Sequence, residues 1–245
     1  MSEGHKQKLS NIKETGRWSL ERARTRTTNP EPYDRYAWLR TSLQEYNRRL
    51  WHKKGAITTR VRKLLEKHPG ETIRVLDFGC GANQAMRELK QELGEVPVEV
   101  TGISVGDLRT PEEKRFDKKH RITFIDQKNL TFRPDEKYHL IVSHLAFHSL
   151  PDPLRTLKEL YVALEQGGVL RVFMVPSDIN WSNRDDAEEA ITDLVQRARA
   201  SGIKISYDSD KALLTLRKNK KPLRFPNVQY EPSKDGKVEI YRFVE

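Results

Sequence analysis

Two groups of residues have the types and spacing to do chemistry. The first is Asp77-Phe78-Gly79-Cys80-Gly81-Ala82-Asn83. It follows a short apolar run, Ile73 to Phe78, and precedes a helical pattern. An acid and two glycines at this point let the chain turn tightly and bring backbone N–H groups up to a ligand. The second group is His144 and His148, which follow another apolar run, Tyr138 to Ser143. An imidazole titrates near neutrality and can take a proton from a reacting group. It can equally do no more than shape its loop, and both readings stay open.

The turn excludes more than it asserts. A dinucleotide fingerprint needs a third glycine where this chain has Gln84. No Gly-Lys-Ser/Thr phosphate loop is present, and Asp77 would repel a pyrophosphate. It could instead receive the cationic amino group of a methionine moiety, which points to S-adenosylmethionine. Asp/Asn-Pro-Pro-Tyr, a signature of amino-methylating nucleic-acid enzymes, is absent. Cys80 is the single cysteine, so no internal disulfide forms, and it is expected to pack beneath the turn rather than react. No His, Cys and carboxylate cluster has ligand spacing, so no metal is expected.

These residues must be positioned by a regular scaffold. Strands are expected at Ile73–Phe78, Val98–Ile103, Ile122–Ile125, Tyr138–Ser143 and Val169–Val175. Helices alternate with them from about Asn83 to Leu93, from Pro111 to Lys119 and from Asp152-Pro153 onward. The last carries Leu154, Leu157, Leu160, Tyr161 and Leu164 on its buried face and ends at Gly167-Gly168. Strand–helix alternation with short links implies an α/β fold, a mostly parallel sheet with helices on both faces. Before it, Tyr36, Leu39, Leu43, Tyr46 and Leu50 form one helical stripe, and Ile57, Val61, Leu64 and Leu65 a second. After it come a helix with Ile191, Leu194, Val195 and Ala198 and two hairpin signals, at Asp208-Ser209-Asp210 and Ser233-Lys234-Asp235-Gly236. Both hairpins are expected to extend one edge of the sheet with antiparallel strands.

Val75-Leu76-Asp77-Phe78-Gly79-Cys80-Gly81 resembles the first motif of class I S-adenosylmethionine-dependent methyltransferases. Phe124 to Phe132, Tyr138 to Pro153 and Leu160 to Val172 resemble its later motifs in order, most closely in the ubiquinone and menaquinone methyltransferase branch. The resemblance covers roughly residues 71–175. It implies a Rossmann-like domain, methyl transfer to an O, N or C nucleophile, and a cofactor held by Asp77, Phe78, Gly79, Cys80, Gly81, Asp126, Gln127 and Ser143. In the family an acid usually ends strand two and takes the ribose hydroxyls. Here Ser104 stands there, and Asp107 follows three residues on, so either can serve. His144 and His148 lie where the acceptor would sit.

The charge is concentrated at one end of the chain. Residues 1–68 hold 17 Lys and Arg against 7 Asp and Glu, whereas residues 69–245 hold 28 of each. Residues 1–32 are expected to be a mobile basic tail, 33–70 a basic helical extension or lid, and 71–245 the methyltransferase domain. A basic arm on a neutral body suits RNA or another polyanion. The alternatives to a small-molecule enzyme are therefore an RNA methyltransferase and a catalytically silent nucleic-acid-binding module. No apolar run approaches a membrane span, and the first ten residues lack the apolar core of a signal peptide, so a cytoplasmic protein is expected.

Overall fold

The computed structural model describes residues 40–53, 55–104, 106–126, 136–147, 153–174, 184–219, 227–232 and 239–244. The basic tail, Tyr36, Gln127 and His148 lie outside the described residues.

Among the described residues six helices and nine strands follow in order: α1 (Leu43–Trp51), α2 (Ala56–Lys67), β1 (Ile73–Phe78), α3 (Gln84–Leu93), β2 (Val98–Ser104), α4 (Pro111–Lys119), β3 (Ile122–Asp126), β4 (Tyr138–Ser143), α5 (Pro153–Val162), β5 (Leu164–Phe173), α6 (Arg184–Ala200), β6 (Lys204–Asp208), β7 (Leu213–Arg217), β8 (Asn227–Pro232) and β9 (Glu239–Val244). Seven strands form one sheet in the order β3-β2-β1-β4-β5-β7-β6. β1 to β5 are parallel, and β7 runs antiparallel to β5 and β6. Among the described residues no helix is long and apolar enough to cross a membrane.

Alternation along the strands feeds two apolar clusters. Val75, Val98, Val100, Leu140, Val142 and Val169 pack with α1, α2 and α3, through Leu43, Tyr46, Leu50, Ile57, Val61, Met86 and Leu89. Leu76, Phe78, Ile141, Leu170 and Val172 pack with α5 and α6 on the other face. The helices ahead of β1 are thus built into the core. Full burial of each large apolar side chain contributes about 1.5–3 kcal/mol. Their polar ends are also tied down. The Leu43 N–H donates to Glu88 of α3 (2.7 Å), and the Ile57 N–H, at the start of α2, donates to buried Asn47 (2.8 Å).

Two expectations are corrected. The helix preceding β5 ends at Val162, and Leu164 belongs to β5, not to the helix. Gly167-Gly168 does not terminate the helix but lies inside the strand, where the register against β4 jumps from Tyr138↔Leu164 to Leu140↔Val169. The second hairpin does not extend the main sheet, because β8 and β9 pair only with each other. The first hairpin does extend it, as β7 and β6.

An ionic lattice links the two loops at the C-terminal ends of β1 and β2. Arg87 of α3 donates to the Ala82 carbonyl (2.7 Å) and to Glu113 (2.7 Å), and approaches buried Asp117 at 3.5 Å. Arg109 holds Asp117 at 2.9 Å, and Arg40 bonds Glu113 (2.5 Å) and the Leu108 carbonyl (3.0 Å). Removing a buried partner leaves the others desolvated and uncompensated. Asp117 keeps Arg109 and Glu113 keeps Arg40, so Arg87→Met is expected to cost about 2 kcal/mol, seen as a fall in Tm of roughly 4–8 °C.

Candidate functional site: the turn after β1

Asp77 lies one residue before the end of β1 and is wholly buried. The parallel register sets it between Gly102 of β2 and Val142 of β4. The Tyr46 hydroxyl, from α1, donates to its carboxyl group, 3.0 Å from either oxygen. Burial pushes the carboxyl up to about 8, although the Tyr46 hydrogen bond pulls the other way. Among the described residues no cation pairs with it, so Asp77 favours its neutral form at pH 7.

The turn is tight because its neighbours are close. Gly79 has φ +80°, and a Cβ there would overlap the Ala146 side chain. Leu145, which delivers Ala146, is itself left-handed (φ +57°), an uncommon conformation for a branched side chain. The Gly79 and Cys80 N–H groups both donate to the Ile103 carbonyl, at 2.8 and 3.0 Å. Those two donors are therefore engaged by β2, whereas the Gly81 and Ala82 N–H groups bond no partner among the described residues.

Cys80 is buried, as expected, and burial raises its thiol well above the usual range. It is not a nucleophile at neutral pH. The Phe78 ring points into the core, edge-on to Phe147 at 6.3 Å, so only its backbone adjoins the turn.

Three polar side chains around the ends of β1 and β4 are buried without a hydrogen-bond partner among the described residues. They are Asn83 (both amide atoms), Ser143 (Oγ) and His144 (Nε2). Buried polar atoms are seldom left unsatisfied in a finished structure. Their grouping beside Asp77 marks a place prepared for a polar ligand. Burial holds His144 down to about 4, with Glu45 opposing and Arg49 and Arg48 adding to the effect. Its ring lies 5.1 Å from Tyr46 and 5.6 Å from Phe173.

The loop after β2 carries both ribose candidates. Ser104 ends the strand, half-buried, in register with Asp126 of β3. Asp126 is exposed and accepts the Gly106 N–H at 2.9 Å. Asp107 is committed locally. One oxygen accepts the Arg109 N–H and Nε (3.1 and 2.9 Å), and the other accepts Arg109 Nη2 and Lys114 Nζ (2.9 and 3.1 Å). Burial opposes its ionisation, yet these donors hold it at about 2. A carboxylate has about four acceptor positions, and all are filled.

Sequence reasoning missed three contributors. Tyr46 lies in the apolar stripe of α1, and nothing in its spacing announces a bond to Asp77. Asn83 adopts φ +64° at the start of α3. Gly102 gives Asn83 and Cys80 room, since a Cβ on it would meet Asn83 Oδ1 at 2.6 Å and Cys80 Sγ at 2.8 Å. A glycine inside a strand is the one signal that could have flagged this contact.

His68, Glu71 and His139 meet at the far end of β1 and β4, with ligand atoms within 4.8 Å of one another. His139 Nδ1 accepts the Arg74 N–H at 3.1 Å, so in the neutral ring Nε2 carries the proton. That nitrogen is the one turned to Glu71, at 3.9 Å. Folding thus brings His139 together with His68 and Glu71, from which sequence spacing keeps it apart.

The methyltransferase domain family matches residues 44–219, from α1 through β7. The chain belongs to this family, and S-adenosylmethionine is the cofactor that the domain implies. It is 36% identical over 120 residues to trans-aconitate 2-methyltransferase of Agrobacterium fabrum (strain C58 / ATCC 33970). That alignment takes in 48% of this chain and 44% of the relative, so the chain spans less than half of the relative's length. The plantazolicin methyltransferase BpumL, solved with a pentazolic desmethylPZN analog and SAH, superposes with a TM-score of 0.50 at 16% identity. It covers 87% of this chain and 99% of its own, a likeness of fold.

Two outcomes follow from this geometry. Ser104→Ala should weaken S-adenosylmethionine binding about fivefold or more by calorimetry, and Asp107→Asn less than twofold; the reverse order would give the ribose to Asp107. In the cofactor-free protein, Asp77 binds a proton that the unfolded chain has lost between pH 3.8 and about 8, so its contribution to stability declines as pH rises through that window. His144 refuses a proton that the unfolded chain takes, so its contribution declines as pH falls from 6.5 to about 4. The Tm advantage of Asp77→Asn over wild type should therefore grow from near zero at pH 4 to a plateau above pH 8. That of His144→Asn should grow towards pH 4.

Proposed function

We propose that the chain transfers the methyl group of S-adenosylmethionine to an O, N or C nucleophile of a small, acidic acceptor. The observation that carries this reading is the buried polar group at the ends of β1 and β4: Asp77 under Tyr46, with Asn83, Ser143 and His144 unpartnered beside it. Bound there, the cofactor supplies an activated methyl carbon on a sulfonium centre.

The chain's own residues would do the rest. Asp77 is neutral without a cation beside it; an ammonium group at hydrogen-bond distance favours its ionised form and is held by it. The turn at Gly79 to Gly81 would admit the ligand's chain, Ser104 would reach the ribose, and Asp126 would reach the adenine. Tyr46 of α1 reaches Asp77 just before the turn. His144 lies between Tyr46 and Phe173, and Arg49 sits 5.4 Å from the centre of the Phe173 ring.

An imidazole held near pKa 4 is a weak base. It suits an acceptor that has already lost its proton, or loses it readily, better than an unactivated alcohol or amine. The relative named trans-aconitate 2-methyltransferase also supports a small acceptor of this kind.

The test couples calorimetry with detection of demethylated cofactor over a panel of small carboxylic acids and phenols. Wild type should bind S-adenosylmethionine with a Kd below millimolar. Tyr46→Phe should weaken that binding about tenfold by taking away the Asp77 partner. His144→Ala should lower kcat on an accepted substrate roughly tenfold, below the usual 10²–10⁴ of a strong general base, and leave cofactor affinity intact. Failure to bind the cofactor at millimolar concentration would overturn the proposal.

A further inference from the structure

The antiparallel edge of the sheet carries cations that nothing described balances. In register, Val169 of β5 faces Arg217 of β7, and Arg217 faces Lys204 of β6. Arg171 lies two residues along β5 from Val169, opposite Thr215, and so on the same face. α2 contributes Arg60, close enough for Arg217 to act on its charge and for both to act on that of Arg171. Among the described residues no carboxylate pairs with Arg60, Arg171, Arg217 or Lys204. Asp208, on the same face of β6, is held by Lys211 at 2.5 Å.

This arrangement costs the fold stability. Like charges directly opposite in an antiparallel pair repel. The Arg171 Nε is buried with no partner among the described residues. Burial, then Arg217 and Arg60, pull the Arg171 guanidinium down to about 10. Its plane is nonetheless held, because it lies 4.6 Å from the centre of the Trp51 ring. The opposite face of the same strands is apolar and packed beneath α5 and α6. The cationic face has Arg217 and Lys204 exposed to solvent.

Guanidinium forks without acids are suited to oxyanions, which they bind through paired N–H donors. Neighbouring strands lie about 4.8 Å apart, so the row from β5 across β7 to β6 spans roughly 10 Å. That is longer than one phosphate and suits several in sequence. We propose that Arg60, Arg171, Arg217 and Lys204 form a binding row for a chain of phosphate groups, either a small polyphosphate or the backbone of a single-stranded nucleic acid. Arg171 stands level with Asp77 through Val142, two strands away, so the row begins about 10 Å from the cofactor turn and runs outward across β7 and β6; it stands whether or not the acceptor proposed above is correct.

The experiment titrates the full chain with sodium tripolyphosphate and with a short single-stranded oligouridylate, at low salt and at roughly 0.15 M. Arg217→Gln and the double variant Arg60→Gln/Arg217→Gln are compared with wild type; Arg171 is left intact because its stacking on Trp51 supports the fold. The double variant should lose at least about tenfold in affinity for the bound phosphate ligand, keep its S-adenosylmethionine affinity, and melt higher than wild type in the absence of ligand. Loss of tripolyphosphate binding with no measurable oligouridylate binding assigns the row to a small polyphosphate. Tighter, salt-sensitive oligouridylate binding, weakened in the variants, assigns it to a nucleic-acid backbone. If the double variant binds both ligands as wild type does, or if wild type binds neither at millimolar concentration, the proposal is wrong.

Discussion

The constraint on which the site depends is a carboxyl group buried where its charge is unwelcome. Asp77 closes β1 inside the core, and burial alone would keep it neutral and inert. Tyr46 gives it one hydrogen-bond donor without giving it a charge. To do so, α1 must dock on the sheet through Leu43, Tyr46 and Leu50. The helices before β1 are therefore part of the site as well as part of the core. Beside it, Asn83, Ser143 and His144 carry buried polar atoms without a hydrogen-bond partner among the described residues.

Arginine serves two opposite purposes here, and the partners decide which. Arg40, Arg87 and Arg109 are interleaved with Glu113, Asp117 and Asp107, and together they tie the loop after β1 to the loop after β2. Arg109 is further seated on the Phe124 ring, 3.9 Å from its centre. Arg60, Arg171 and Arg217 pair with no acid among the described residues and repel one another across the sheet's antiparallel edge. The first set spends its hydrogen-bonding capacity on rigidity. The second keeps that capacity available.

Much of the scaffold was legible because its signals are local. The glycine turn, β1, α4 and β4 fall where periodicity and punctuation put them, since each is fixed by residues a few positions apart. The start of β5 was misjudged for the opposite reason. Leu164 continues the apolar period of α5, but β4 recruits it as a strand residue through pairing with Tyr138. The last hairpin was recognised as a hairpin and misplaced, because turn chemistry fixes a pair of strands and not the sheet they join.

The sequence by itself determined the family-defining turn, the strand–helix alternation and the residues from which a cofactor site can be made, because these rest on short-range sterics and spacing. Tertiary structure decided what those residues can do. Tyr46 meets Asp77 across 31 positions, Gly102 makes room for Asn83 and Cys80 from the next strand, and Asp107 is drawn to Arg109 and Lys114. Burial, which only packing sets, moves Asp77 up to about 8 and His144 down to about 4. Those two shifts favour a neutral carboxyl group at Asp77 and an unprotonated imidazole at His144 near neutral pH.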